Sequence, residues 1–218
     1  MRKILSHTTL AMAAAIIMVS CSEHEPFPDT SIHEGHVVST DGHVMSLEQC
    51  RKEKRTPIAV VFHVSHDEEV EGKAFAVYLH DLPELAFSDT LAISQNTSSD
   101  VTLLDGNSNT YAIYSTPVAT SDMVDAVFSM WAYGQSAYVP SVAQMKMLYL
   151  NKELVNKSIS SCGGDLLPGT ADACWYWTST EVRGQEKAKA WLFSMESGAM
   201  QETPKDEEHK VRPVITIY

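Results

Sequence analysis

The sequence predicts a mixed α+β domain, because segments with the character of strands lie before and after a helical middle section. Residues 57–64 form an uninterrupted apolar run rich in branched side chains, which is typical of a strand buried on both faces. Residues 121–161 instead carry helix-capping residues and apolar positions at helical spacing. Aromatic and branched residues typical of strands return after residue 174.

The first part of the domain is predicted to contain a hairpin and a central pair of strands. Asp41-Gly42 separates two short apolar segments within residues 37–45, a combination that favours a β-hairpin. The run at 57–64 is predicted to be the central strand, with residues 74–79 as its neighbour. Residues 81–119 are predicted to be mostly loop, because turn-forming residues are frequent there.

Helices are predicted in the middle of the chain. The first begins after the N-cap Ser121 and stops before Gly134. Its expected buried face comprises Val124, Val127, Met130 and Trp131. The second begins at a capping box formed by Ser141 and Gln144, and the third covers residues 152–161. The C-terminal strands are predicted at 175–180, 190–195, 199–203 and 210–218.

The N-terminus has the pattern of a lipoprotein signal peptide, which is predicted to cover residues 1–20. Arg2 and Lys3 precede an uncharged apolar stretch that is too short to span a bilayer as a helix. The stretch ends at Ser20-Cys21, which resembles a lipobox. Cys21 is therefore predicted to carry the lipid; the alternative is an ordinary secretory signal with a chance cysteine at this position.

Residues 21–35 are predicted to be a lipid-anchored flexible tether, and residues 36–218 a single domain. The tether is polar and acidic, contains two prolines and shows no periodicity. The expected location is the outer membrane, with the lipid as the sole membrane contact. The acidic residues that follow Cys21 resemble a signal for export to the cell surface, but a solvated linker explains them equally well.

The composition narrows the possible partners. The net charge of −12 over 218 residues disfavours nucleic acid, because an acidic surface repels phosphate backbones. Hydrophobic residues make up 44% of the chain, which is enough for a substantial core.

The cysteines leave two interpretations open. If Cys21 carries lipid, three thiols remain, and Cys162 and Cys174 are the nearest pair in sequence. An exported compartment permits a disulfide between these two, with a flexible glycine-containing segment closing the loop. Alternatively, Cys162 and Cys174 are buried thiols that pack as small apolar side chains.

An ordered series of short motifs resembles the lectin-like C-terminal domain shared by many bacterial surface lipoproteins and by a collagen-like adhesin. The series comprises Tyr138-Val139-Pro140-Ser141, Tyr176-Trp177-Thr178-Ser179-Thr180-Glu181, Ala190-Trp191, Lys205 and Val211-Arg212-Pro213-Val214. The resemblance covers about residues 36–218. It implies a C-type-lectin-like fold, with a twisted antiparallel sheet, flanking helices and long loops.

The chain also departs from the family pattern. Ala137 stands where the family often has Trp, and the calcium-and-sugar motifs of animal lectins are absent. The resemblance therefore implies neither calcium nor a particular sugar. No metal site and no cofactor are predicted.

Candidate ligand-binding residues are Asp105, Asp172 and Glu181. The two aspartates lie in the segments 81–119 and 163–175, which are predicted loops, and loops commonly carry recognition residues. Glu181 follows the aromatic segment, and a structural hydrogen-bonding role is favoured for it over ligand contact.

Aromatic residues and one arginine are predicted to be structural. Trp175, Tyr176, Trp177 and Trp191 are interpreted mainly as core, with a sugar-stacking platform as the alternative. Arg212 is predicted to be a buried partner for a carboxylate.

The predicted function is a non-enzymatic surface lipoprotein that binds a glycan, a protein or a matrix polymer through its loops. Motifs of a serine-hydrolase elbow, a phosphate-binding loop and a zinc helix are absent. Two alternatives remain open at this stage. One is an accessory or tip subunit of a surface fibre, and the other is an oxidase-like enzyme on the same fold, which needs a reactive cysteine pair.

Overall fold

The structure of the protein, a computed structural model, describes residues 30–67, 70–132, 134–168 and 174–218. The predicted signal peptide, Cys21 and Asp172 lie outside the described residues. Residues 32–218 form one compact unit, which starts at Ile32 rather than at the predicted domain boundary of residue 36.

The described part of the chain contains ten strands and five helices. The strands are β1 (Val37–Ser39), β2 (Val44–Met45), β3 (Pro57–Val64), β4 (Ala74–Tyr78), β5 (Leu82–Ala86), β6 (Trp175–Glu181), β7 (Lys189–Ser194), β8 (Met200–Pro204), β9 (Glu208–Val211) and β10 (Val214–Ile217). The helices are α1 (Leu47–Lys52), α2 (Gly106–Tyr114), α3 (Asp122–Ser129), α4 (Val142–Leu150) and α5 (Lys152–Ser161). The mixed α+β class predicted from the sequence is confirmed.

The first sheet has the order β10-β4-β3-β1-β2, and its pairs are antiparallel. The central position of β3 and its pairing with β4 are confirmed, as is the β1–β2 hairpin. Ala59 and Val61 of β3 pack into one hydrophobic cluster, whereas Val60 and Phe62 pack into a second. The alternation of side chains along a strand thus buries both faces of β3, as its continuous apolar sequence predicts.

The second sheet has the order β5-β9-β6-β7-β8. It is antiparallel except that β6 and β9 run parallel, with Tyr176 opposite Lys210. The expectation of one antiparallel sheet and of one final strand over 210–218 is therefore wrong. Pro213 has no backbone N–H to extend a ladder, so β9 ends before it and β10 begins after it in the other sheet.

The segment 81–119 is not mostly loop, since it contains β5 and α2. Polar residues that look like turn formers are buried in α2 by specific hydrogen bonds. Thr110 Oγ1 donates to Gly106 O at 2.7 Å, and Asn109 Oδ1 accepts from the Ser98 amide at 2.8 Å. A Cβ on Gly106 would lie 2.8 Å from the Ser141 amide nitrogen, so glycine permits α2 to begin against α4.

The helix starts follow the predicted capping residues. Ser121 caps α3, and the Ser141–Gln144 capping box is present at the start of α4. The predicted helix over residues 152–161 is confirmed as α5. However, α3 ends at Ser129, which leaves Trp131 outside the helix on which it was predicted to have a buried position.

Ser141→Ala is expected to lower the free energy of unfolding by about 1–2 kcal/mol. Ser141 is fully buried, accepts from the Gln144 amide at 3.4 Å and donates to Leu103 O at 2.7 Å. Its loss leaves both groups without this partner. Urea denaturation measures the effect, with the exposed Ser160→Ala in α5 as the control. Equal stability of the two variants would contradict the capping argument.

Candidate functional site

An open groove of about 600 Å³ lies where the start of β3 meets the end of β4 and the segment that follows α3. It is lined mainly by apolar surface, with polar groups at intervals. Its lining residues include Thr40, Ile58, Tyr78, His80, Met130 and Trp131. A concave apolar surface with a few polar groups is the usual form of a ligand site.

Trp131 is the main exposed aromatic side chain of this groove. It is 67% exposed although it is the largest apolar residue type. Tyr78 has a nearly buried ring, and its hydroxyl donates to Met130 O at 3.4 Å, which ties the Trp131 segment to β4. The groove therefore presents an indole surface beside an ordered wall.

The polar end of the groove is supported by the buried Arg212. Its guanidinium donates to Asp81 Oδ1 at 2.7 Å, to Leu79 O at 3.1 Å and to Asp165 O at 2.8 Å. These contacts hold the segment that carries His80, whose Nδ1 lies 3.2 Å from Asp165 Oδ2. The prediction that Arg212 is a buried partner for a carboxylate is confirmed.

Asp81 also receives hydrogen bonds from the second sheet. Tyr176 Oη donates to Asp81 Oδ2 at 3.1 Å, and Lys210 Nζ lies 3.4 Å from the same oxygen. Burial, together with the neighbouring Asp81 carboxylate, raises the pKa of Tyr176, so its hydroxyl stays a donor. The groove's polar end is thus fixed to the cores of both sheets.

Glu181 is not available for a ligand. It is fully buried and accepts from the backbone amides of Gln95 at 2.8 Å and Thr97 at 3.2 Å. The hydroxyls of Thr97 and Ser94 donate to it at 3.1 Å and 3.2 Å. It also pairs with the fully buried Lys205. Its assignment as a ligand candidate is therefore corrected: Glu181 holds the segment 94–97 against β6.

Asp105 has a local partner and is not among the groove's lining residues. It precedes α2 and is half-buried, with Oδ1 accepting from Asn109 Nδ2 at 2.9 Å. Burial raises the pKa of its carboxyl group. Asp172, the remaining ligand candidate, lies outside the described residues.

The C-terminal aromatic residues are core, as predicted, to different degrees. Tyr176 and Trp177 are fully buried, whereas Trp175 and Trp191 are partly buried. Trp177 Nε1 donates to Leu85 O at 2.9 Å, which satisfies its polar group inside the core. Tyr176 and Trp177 are therefore too buried to stack on a sugar.

Cys162 and Cys174 do not form the disulfide considered above, and both are thiols in this part of the chain. Cys174 Sγ lies 3.3 Å from Ser194 Oγ, while Cys162 ends α5 and packs against the cluster that contains Cys50. Burial raises the pKa of Cys50 and of Cys162, which keeps both thiols protonated.

The described residues contain no cluster of three or more His, Cys, Asp or Glu side chains able to hold a metal ion. Over the same residues, the structure contains no helix with the length and apolar character needed to span a bilayer. No known family model matches the chain, and a search of curated proteins found no significant match.

Proposed function

We propose that the protein is a lipid-anchored, non-enzymatic binding module of the outer membrane, built on a C-type-lectin-like domain, that binds a glycan in the groove at Trp131. The observation that carries the proposal is the exposed indole of Trp131 on an open groove of about 600 Å³. Aromatic faces pack against apolar ring faces, while the hydroxyls of a sugar need polar groups at the edges of the site.

The polar groups that line the groove suit a neutral saccharide. Thr40 has a hydroxyl that can donate and accept, and His80 is 64% exposed on its side chain. Because Asp165 pairs with His80, and Arg212 anchors both segments, the imidazole is pre-positioned. Because the side chain is already held in place, binding of a ligand costs little conformational entropy at this position.

The lectin-like fold is supported by where the resembling motifs lie. Tyr138, Tyr176, Glu181, Lys205 and Arg212 are all buried. Each makes a hydrogen bond or ion pair that joins separate segments of the chain. The motif series therefore acts as a structural framework, and residues outside it, such as Trp131, are left for recognition.

Trp131→Ala is expected to weaken glycan binding at least tenfold, which corresponds to about 1.4 kcal/mol. Full-length protein in detergent micelles is screened on a glycan array, and hits are measured by titration calorimetry. The matched control is Tyr111→Ala, which removes another aromatic ring that is 65% exposed but does not line this groove. Equal affinities for the two variants, or an array without a hit, would reject the groove as a glycan site.

The lipid anchor has its own test at Cys21, which lies outside the described residues. Cys21→Ala is expected to abolish detergent-phase partitioning and to leave an unprocessed precursor, because the acyl chains supply the membrane affinity. Membrane fractionation and intact mass measure both effects. A variant that is still cleaved at the same site and still bound to the membrane would contradict lipidation.

A further inference from the structure

Lys205, Gln95 and Glu181 form a buried cluster that the binding proposal does not use. All three side chains are fully buried. Lys205 Nζ donates to Gln95 Oε1 at 2.7 Å, to Ile93 O at 3.1 Å and to the Glu181 carboxylate. The ring centroid of Phe87 lies 5.3 Å from the same nitrogen. An amine, a side-chain amide and a carboxylate are thus in contact in a place closed to water.

The amide nitrogen of Gln95 is the unsatisfied atom of this cluster. Gln95 Nε2 is buried and has no hydrogen-bond partner in the described part of the chain. An ammonium group only donates hydrogen bonds, so Lys205 fixes the amide with its oxygen inward. A buried donor without a partner is unfavourable, and each such case calls for a physical explanation.

We propose that Lys205 and Gln95 condense into an intramolecular isopeptide bond, with Glu181 as the proton carrier. A proton first passes from Lys205 Nζ to the Glu181 carboxylate, which leaves a neutral amine. The amine attacks Gln95 Cδ, so that the Nζ–Cδ bond forms. In the resulting tetrahedral intermediate Nζ and Nε2 are bonded to the same carbon, so Glu181, which contacts Nζ, gives its proton to the adjacent Nε2. The Cδ–Nε2 bond then breaks, and Glu181 takes the second proton from Nζ.

The reaction conserves atoms, protons and charge, and it needs no co-reactant. The released ammonia takes the last proton from Glu181 and leaves as ammonium. The products are therefore an amide and an ammonium ion, the carboxylate is regenerated, and nothing is oxidised or reduced. The departing atom is Nε2, the atom that has no partner before the reaction.

The surroundings of the cluster supply two conditions that the reaction needs. Burial lowers the pKa of Lys205, although the Glu181 carboxylate opposes the shift. Lys205 Nζ already contacts the acyl oxygen of Gln95 at 2.7 Å, and holding two reacting groups close together lowers the entropic part of the barrier. The bond would link positions 110 residues apart in the sequence.

The test is peptide mapping by mass spectrometry on the full chain purified from membranes. We expect a cross-linked pair of peptides containing Gln95 and Lys205, lighter than their sum by about 17 Da for one ammonia. The protein contains a matched control at its surface. Gln185 and Lys189 both bind Glu202, at 2.9 Å and 3.2 Å, and this water-exposed cluster of the same residue types is expected to stay unlinked.

Glu181→Gln is expected to reduce the yield of the cross-linked peptide at least tenfold, because the variant has no carboxylate to carry the proton. Circular dichroism and a thermal transition establish whether this variant folds. If it does not fold, the peptide map of the wild-type protein still tests whether the isopeptide bond forms. Linear peptides with unmodified Gln95 and Lys205 in folded wild-type protein would overturn the proposal. A link between Lys205 and Glu181 with a loss of about 18 Da, for one water, would also overturn it.

Discussion

Lys205→Met is expected to lower the free energy of unfolding by about 3–5 kcal/mol, because the buried Glu181 carboxylate loses the Lys205 nitrogen as a donor, whether that nitrogen is an ammonium or the N–H of the proposed amide. Both side chains are fully buried, so water cannot replace the lost interaction. Gln95 Oε1 and Ile93 O lose their donor at the same time. Urea denaturation followed by circular dichroism measures the change.

The control for this prediction is Lys189→Met, which breaks a pair with Glu202 that remains partly exposed to solvent. An exposed pair contributes roughly 0–1 kcal/mol, so the two variants should differ clearly. The double variant Glu181→Gln/Lys205→Met removes both charges and is expected to regain part of the loss. A single Lys205→Met variant as stable as Lys189→Met would show that the buried pair is not required for folding.

Trp177→Ala is expected to lower the free energy of unfolding by about 3–5 kcal/mol through loss of core packing. Trp177 is fully buried, stacks edge-on against Phe87 with ring centroids 5.6 Å apart, and donates to Leu85 O. Truncation would leave a cavity beside Phe87 and would leave the Leu85 carbonyl without its donor. Chemical denaturation and thermal melting both report this loss.

Trp131→Ala is the matched control, since it makes the same chemical change at a residue that is 67% exposed. We expect it to alter stability by less than about 0.5 kcal/mol, in line with surface substitutions. A comparable loss of stability in both variants would mean that Trp131 is part of the core. The groove proposal would then lose the residue on which it depends.

The elements predicted well from the sequence are those with short-range signals. The continuous apolar run of β3 predicts a strand buried on both faces, and Ser121 and Ser141 predict where α3 and α4 begin. These signals depend on side chains and backbone groups within a few residues of each other. The elements missed, β5 and α2, instead depend on hydrogen bonds with distant segments: β5 pairs with β9, and Thr110 of α2 accepts from the Val139 amide.

The groove at Trp131 is lined by residues outside 81–119 and 163–175, the segments in which the sequence predicts ligand contacts. The helical spacing predicts that Trp131 lies on a buried helix face. In the structure the helix stops at Ser129, about one turn earlier than predicted, so Trp131 lies outside the helix and its side chain is exposed. Glu181 is a ligand candidate in the sequence because it follows the aromatic segment, whereas in the structure Lys205, 24 residues later, neutralises it inside the core. Nothing in the local sequence around either residue distinguishes these outcomes.

The sequence by itself determined the mixed α+β class, the central β3–β4 pair and the helix caps, because each arises from apolar patterning and local hydrogen bonding. Only the tertiary structure decided which polar residues are buried and which aromatic residue is exposed. Those properties depend on pairs far apart in the chain, such as Arg212 with Asp81, 131 residues away. A pair of this kind forms only when two elements pack together. The burial and the hydrogen bonds that stabilise the pair do not exist in either segment alone.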